Sequence, residues 1–202
     1  MISRIFSRLF AQTYVKVLLM RERFEQQLRL GVTPIEKINI GNGRDRQIAV
    51  LYALQWIFTT PEVNQEIFTL LESKLTPKQK SLGRESMDLW TILVFGVMRL
   101  TRDQSYDDLR YCANNDLLMR EMVGIGRDEL DKKFSLTRLK ENISLLNEKL
   151  LAEINAIIAK HGAPKLQKKT SRHASKPTAT SVKPTFIFRL ISILPSMLQE
   201  KA

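Results

Sequence analysis

Apolar residues recur at helical spacing along most of the chain, and no segment alternates between apolar and polar side chains as a half-buried strand would. The pattern predicts a short charged helix over 20–30 and an amphipathic helix over 44–60. A third helix is expected to begin at Pro61, with Thr60 as its N-cap. Residues 87–100 are apolar on nearly every side, which is typical of a helix at the centre of a bundle. We therefore expect an all-α multi-helix bundle.

Two features refine the picture around the central helix. Gly96 lies in its middle, where the missing side chain would let a neighbouring helix approach closely. Ser105 starts a short helix, and Asn114 with Asn115 is expected to form a turn before another short helix. Two helices joined in this way suit a helix-turn-helix, although short helices at a turn also occur in bundles that do not bind DNA.

The last predicted helix is long. It begins after Ser135, and Gly162 and Pro164 are expected to end it. Its apolar residues form a heptad-like seam, which fits either a coiled-coil dimer face or a stripe inside one bundle. We favour the stripe because the seam is short and Glu153 interrupts it. The seam consists of Leu136, Leu139, Ile143, Leu146, Leu150 and Ile157.

Positive charge is concentrated at the two ends of the chain. The 202 residues contain 32 Lys and Arg against 21 Asp and Glu, which gives a net charge of +11. Residues 1–19 hold three positive charges and no negative one, and residues 165–202 hold eight positive charges and one negative. The remaining 21 positive and 20 negative charges make residues 20–164 nearly neutral. The net charge is therefore weak evidence that the folded part binds DNA.

The basic tail over 165–202 does not predict a membrane anchor. Its apolar closing run is shorter than the about 20 residues that a spanning helix needs, and Arg189 and Pro195 interrupt it. The preceding stretch is rich in Lys, Ser and Thr, a composition typical of disorder. The single cysteine, Cys112, fits a reducing compartment, so we expect a cytoplasmic protein that does not enter a membrane.

The sequence shows no constellation of catalytic or metal-binding residues. Two histidines and one cysteine cannot form a metal site at known ligand spacings. Asp107 and Asp108 are adjacent, so on a helix their carboxylates do not face a common point. We therefore expect no catalytic residue and no cofactor in this chain.

A specific resemblance lies in the stretch "GRESMDLWTILVFGVMRLTRDQSYDDLRYCANNDLLMREMVG" at 83–124. Over about 20–165 the chain resembles the N-terminal domain of bacterial insertion-sequence transposases of the InsH-like, ISNCY-type group. Met20 matches the usual start of that family, which leaves 1–19 as an N-terminal extension. The residues that match the family pattern are Gly83, Arg84, Met87, Asp88, Leu89, Trp90, Arg99, Leu100, Tyr106, Asp107, Asp108, Leu109, Asn114, Arg120, Met122 and Gly124.

The resemblance implies that the helical domain, over 20–164, recognises the terminal inverted repeats of an insertion sequence in double-stranded DNA. In this family a separate catalytic domain carries three acidic residues that bind two divalent ions for strand cleavage and joining. That domain is not recognisable here, so we expect a truncated transposase without activity of its own. Intact transposase, or a second copy bound through 135–160, is the expected protein partner. The alternative function is a helical oligomerisation module that does not bind DNA.

Basic residues in and around the two-helix unit are the candidates for DNA contacts, although salt bridges within the fold would explain many of them equally well. The candidates are Arg84, Arg99, Arg102, Arg110, Arg120, Lys132, Lys133, Arg138 and Lys140.

The tail departs from the family pattern where the first catalytic Asp is expected. Codons built from the last base of each residue and the first two bases of the next permit "NVHFPTDIN" across 184–193, which resembles the family's continuation. The same construction across 177–179 permits Asp-Ser. We therefore expect residues from about 166 onward to be the transposase gene read out of frame. The shift would lie near Lys168 and Lys169, whose codons are rich in A.

Overall fold

The computed structural model describes residues 21–26, 30–41, 45–75 and 87–166, with side chains described as far as 161 in the last range. Within these ranges the regular structure is helical and no strand occurs, so the expected all-α multi-helix bundle is confirmed. A short 3₁₀ turn at Ile35–Lys37 precedes the α-helices. The helices are α1 (Arg46–Thr59), α2 (Pro61–Lys74), α3 (Leu89–Arg102), α4 (Tyr106–Asn115), α5 (Leu117–Met122), α6 (Leu136–Ile143) and α7 (Glu148–Leu166).

Helix α3 is the centre of the bundle, as its apolar sequence predicts. It contacts α1, α2, α4 and α6, while α7 packs against α2. The side chain of Asp88 caps its first turn by accepting a hydrogen bond from the Thr91 N–H at 2.7 Å. Trp90 is fully buried, and its indole N–H donates to the Met122 carbonyl at 2.7 Å. A buried indole is thereby satisfied, and the end of α5 is fixed to α3.

Gly96 permits the close approach that the sequence predicts. A Cβ atom at this position would overlap the Cδ1 atom of Leu146 and would lie 3.8 Å from Ile143. Leu146 lies in the turn between α6 and α7, so Gly96 is approached by that turn as well as by helix α6. The stripe interpretation of the heptad-like seam also holds, because four of its members are buried within the bundle. These are Leu139, Ile143, Leu146 and Leu150.

The prediction of a helix over 20–30 is wrong for the residues described there. Residues 21–26, here called the N-terminal strap, are not helical. Arg21 donates to the carbonyls of Leu75 and Met87 and, at 2.6 Å, to the side chain of Asn142. The strap therefore links the end of α2, the start of α3 and helix α6. These contacts between distant segments outweigh the local helix propensity of a charged sequence.

The two asparagines at the end of α4 do not form the expected turn. Asn114 and Asn115 both belong to α4, and the break comes at Asp116, whose side chain caps α5 through the Met119 N–H at 3.1 Å. The Asn114 side chain accepts from the Phe134 N–H at 2.7 Å and donates to its carbonyl at 3.0 Å. The amide is thus bound to another segment and is not available to form a local turn.

The single long helix expected after Ser135 is two helices. Ser135 caps α6, but α6 ends at Ile143 and α7 begins at Glu148, where the Asn147 side chain accepts from the Leu150 N–H at 2.9 Å. The turn between them lets Leu146 pack against Gly96. Gly162 and Pro164 do not end the second helix, which extends to Leu166.

Several predictions concern segments for which no structure is described. The N-terminal extension over 1–19, the linker residue Arg84 and the basic tail from 167 to 202 lie outside the described residues. Across the ranges that are described, no helix has the length and apolar character needed to cross a membrane.

Candidate nucleic-acid interface

Arg120 lies inside the fold, although the sequence suggested it as a DNA contact. It is only 4 % exposed. Its guanidinium donates to the carbonyls of Glu129 at 2.6 Å and Lys132 at 2.9 Å, and more weakly to that of Asn114 at 3.4 Å. Three backbone carbonyls around one buried cation make Arg120 the anchor of the loop over 123–134. In this structure its side chain is not available to DNA.

Helix α5 is also largely buried. Four of its six residues, Met119 to Met122, are buried, and the Glu121 carboxylate accepts from Arg127 at 2.7 Å. In a helix-turn-helix the second helix lies in the major groove. The two short helices that the sequence predicts are present, but the second one cannot enter a groove without leaving the core. The exposed helix of the pair is α4.

The outward face of α4 combines polar side chains with one aromatic side chain. Tyr111 is 70 % exposed, and Asn115, one turn further on, is exposed as well. Two acidic residues, Asp107 and Asp108, lie at the other end of the helix and are engaged there, while Asp116 follows Asn115 and accepts from Gln47 and the Met119 N–H. Asp108 and Ser105 form a capping box, and Asp107 pairs with Arg110 at 3.5 Å.

Cationic side chains flank the C-terminal end of α4. The exposed Arg102 donates to the Gln47 Oε1 atom at 2.6 Å, and the Gln47 amide donates in turn to the carboxylate of Asp116, the residue that follows the helix. Phe134 is bound to Asn114 at the same end of the helix, and the exposed Lys133 precedes Phe134 in the chain.

The remaining lysines differ in how they are paired. Lys132 forms an ion pair with Glu129 at 2.7 Å. Lys133 and Lys140 are exposed and form no ion pair with any other described residue. Lys140 lies on α6, which packs against α4, whereas Arg138 on the same helix is half-buried. Of the three lysines, Lys133 and Lys140 are therefore the best placed to meet phosphate groups.

Arg99 contacts an aromatic ring inside the two-helix unit. Its guanidinium carbon lies 4.1 Å from the centroid of the Tyr106 ring, a cation–π geometry that holds the start of α4 on α3. Its Nε atom is buried and has no hydrogen-bond partner among the described residues. Arg99 therefore connects α3 to the start of α4. Arg84, another of the sequence candidates, lies outside the described residues.

A second polar cluster joins α2 and α7 away from this surface. Glu66 accepts from Lys160 at 2.8 Å and lies 3.1 Å from the His161 Nε2 atom. Hydrogen bonds from these two side chains hold the pKa of the Glu66 carboxyl below its ordinary value. The cluster borders a shallow groove lined by Gln65, Glu66, Thr69, Leu70, Ser73 and Ile157.

Sequence reasoning missed Tyr111 and Asn115 as parts of this surface, and it missed the buried Gln47 that links Arg102 to Asp116. A usable signal was present, because Asp107, Tyr111 and Asn115 recur at four-residue spacing opposite the apolar side of the helix. Among the residues with described side chains, no group of three His, Cys, Asp or Glu is placed to hold a metal ion. Comparison with protein-family models, with curated proteins and with solved structures found no match to this chain.

Proposed function

We propose that the helical bundle binds double-stranded DNA and acts as the end-recognition domain of an insertion-sequence transposase. The observation that carries the proposal is the exposed helix α4, whose C-terminal end is flanked by Arg102 and Lys133. The resemblance over 83–124 supports it, because that stretch includes α3, α4 and α5. Its target would be the terminal inverted repeats of the element.

The charge of the bundle limits how it can bind. Residues 20–164 are nearly neutral, so attraction must come from a few local cations rather than from a broad field. Each phosphate contact contributes about −0.9 to the slope of log K against log salt. Three contacts from Arg102, Lys133 and Lys140 would therefore give a slope of about −3. Such weak electrostatics would make sequence-dependent contacts an important part of the affinity.

The test compares a duplex of the terminal repeat with a shuffled duplex by fluorescence anisotropy over a range of salt concentrations. The double variant Lys133→Ala, Lys140→Ala is expected to weaken binding to both duplexes and to flatten the salt slope by about 2. The matched control is Lys149→Ala, because Lys149 is exposed on α7 and forms no ion pair with another described residue. The proposal fails if the wild-type chain shows no preference for the terminal repeat at any salt concentration.

The alternative function, oligomerisation through 135–160, has less support. Four of the six apolar side chains that would form a coiled-coil seam are already buried within the bundle. Leu146 is one of them, and it fills the space beside Gly96. A dimer that used this seam would have to expose Gly96 and the core around it. Light scattering over a range of concentrations separates the two functions.

A further inference from the structure

We infer that the C-terminal half of α4 reads base edges in the major groove, with Tyr111 and Asn115 as the residues that determine specificity for an adenine–thymine pair. This inference rests on the proposed function and extends it, since it names the reading helix and the base pair. The sequence candidates for DNA contact were all Arg and Lys, whereas these two side chains carry no charge.

The outward face of α4 is accessible to solvent. Helix α5 is buried and Arg120 is bound to backbone carbonyls, so α4 is the member of the pair that can enter a groove. Tyr111 and Asn115 are four residues apart and lie one above the other on its exposed face. A phenol ring that is 70 % exposed gains little from the fold itself, but it would bury apolar area against DNA.

The Asn115 side chain has the hydrogen-bonding capacity to recognise adenine. The Asn115 amide donates one hydrogen to the Tyr111 carbonyl at 2.7 Å, which fixes the side chain on the helix. Its oxygen and its second amide hydrogen remain, and one acceptor with one donor is the set that pairs with N6 and N7 of adenine. The Tyr111 ring lies beside it and can contact the methyl group of the paired or neighbouring thymine.

The acidic side chains of α4 lie away from the reading end. Asp107 and Asp108 lie about 10–12 Å back along the helix axis from Asn115, and both are engaged with neighbouring groups. Asp116 follows Asn115 directly, but its carboxylate already accepts from the Gln47 amide and the Met119 N–H. At the reading end the carbonyl of Asn114 accepts from the buried guanidinium of Arg120, which offsets the negative end of the helix dipole. Phosphates beside the groove would meet Arg102 and Lys133, the cations near this end of the helix.

Helix α4 is fixed at both of its ends. The capping box fixes the N-terminal end of α4, and the paired hydrogen bonds between Asn114 and Phe134 fix its C-terminal end. A helix that is held at both ends loses little conformational entropy when it binds. The reading surface is therefore organised before DNA arrives.

The experiment selects preferred sequences from a pool of randomised duplexes with the full chain. The wild-type protein is expected to enrich one sequence, and Asn115→Ala is expected to lose an adenine from it. Binding of Asn115→Ala or Tyr111→Ala to the enriched duplex should weaken about 5- to 150-fold, the range for one good base contact. Binding to an unselected duplex should stay unchanged, because neither side chain carries charge.

Two further measurements make the outcome decisive. Both truncated side chains are exposed, so the thermal midpoints of the variants should match that of the wild type. Asn115→Asp keeps the size of the side chain but removes the donor, and it should lose the adenine as well. The inference is overturned if the variants enrich the wild-type sequence with unchanged affinity, and the proposed function then stands. If the wild-type chain enriches no sequence, the proposed function fails and this inference fails with it.

Discussion

Replacing Arg120 with alanine would test whether this residue is a structural anchor or a surface contact. The guanidinium makes two short hydrogen bonds, to the carbonyls of Glu129 and Lys132, from a position that is 4 % exposed. A hydrogen bond from a charged group contributes roughly 1.5–3 kcal/mol, and a buried carbonyl left without a partner adds to the loss. We therefore expect Arg120→Ala to lower the free energy of unfolding by about 3–5 kcal/mol. That is a large part of the roughly 5–15 kcal/mol that holds a typical domain together.

Urea denaturation at fixed pH measures this effect through the midpoint, provided that the slope m stays constant. Arg120→Lys keeps the charge but loses the planar fork, so it should recover only part of the stability. The matched control is Lys132→Ala, which truncates an exposed side chain paired with the half-buried Glu129 and should cost less than about 1 kcal/mol. A loss below about 1 kcal/mol for Arg120→Ala would refute the reasoning and return this side chain to the list of surface candidates.

Three further predictions concern other parts of the chain. The pKa of Glu66 is lowered in the folded state, so its bonds to Lys160 and His161 stabilise the protein above the ordinary carboxyl pKa of 4.5. That stability is lost as pH falls through the folded-state pKa, and Glu66→Gln should reduce the acid dependence of the thermal midpoint; an unchanged dependence would contradict this. Leu146→Asp should unfold the bundle, seen as lost helical circular dichroism, because it buries a charge beside α3; a folded variant of lower mass would instead support a dimer seam. Translating the gene one base back from the codon of Lys168 should give an open reading frame that continues into a catalytic domain with acidic active-site residues. An early stop codon in that frame would contradict the interpretation that the tail is read out of frame.

Local sequence signals predicted the helices whose ends depend on nearby residues. Pro61 does begin α2 and Ser105 does cap α4. The chemistry at Thr60 differs from the prediction, since it occupies the N-cap position but its side chain makes no capping hydrogen bond. Helix α3 was recognisable because a helix that is apolar on every side has to be surrounded by others.

Features that depend on contacts between distant residues could not be predicted from local sequence signals. The strap over 21–26 is charged like a surface helix, yet Arg21 is bound to three segments far along the chain. The seam over 136–157 has helical spacing throughout, but the chain turns at 144–147 so that Leu146 can reach Gly96. Helix propensity spans only a few tenths of a kcal/mol per residue for ordinary side chains, so packing decides such cases.

For this protein, the sequence alone determined the fold class, the central helix and the stretch of chain in which DNA contacts were expected. Only the tertiary structure decided which helix of the two-helix unit faces outward and which cations remain at the surface. Sequence spacing alone makes Arg110 and Arg120 equal candidates for DNA contact, but Arg110 is exposed beside Asp107, whereas Arg120 is buried and bound to carbonyls of the loop over 123–134. The physical reason is that the exposure of a charged side chain depends on what packs above it, and the residues that cover Arg120 come from a loop that local patterns do not place.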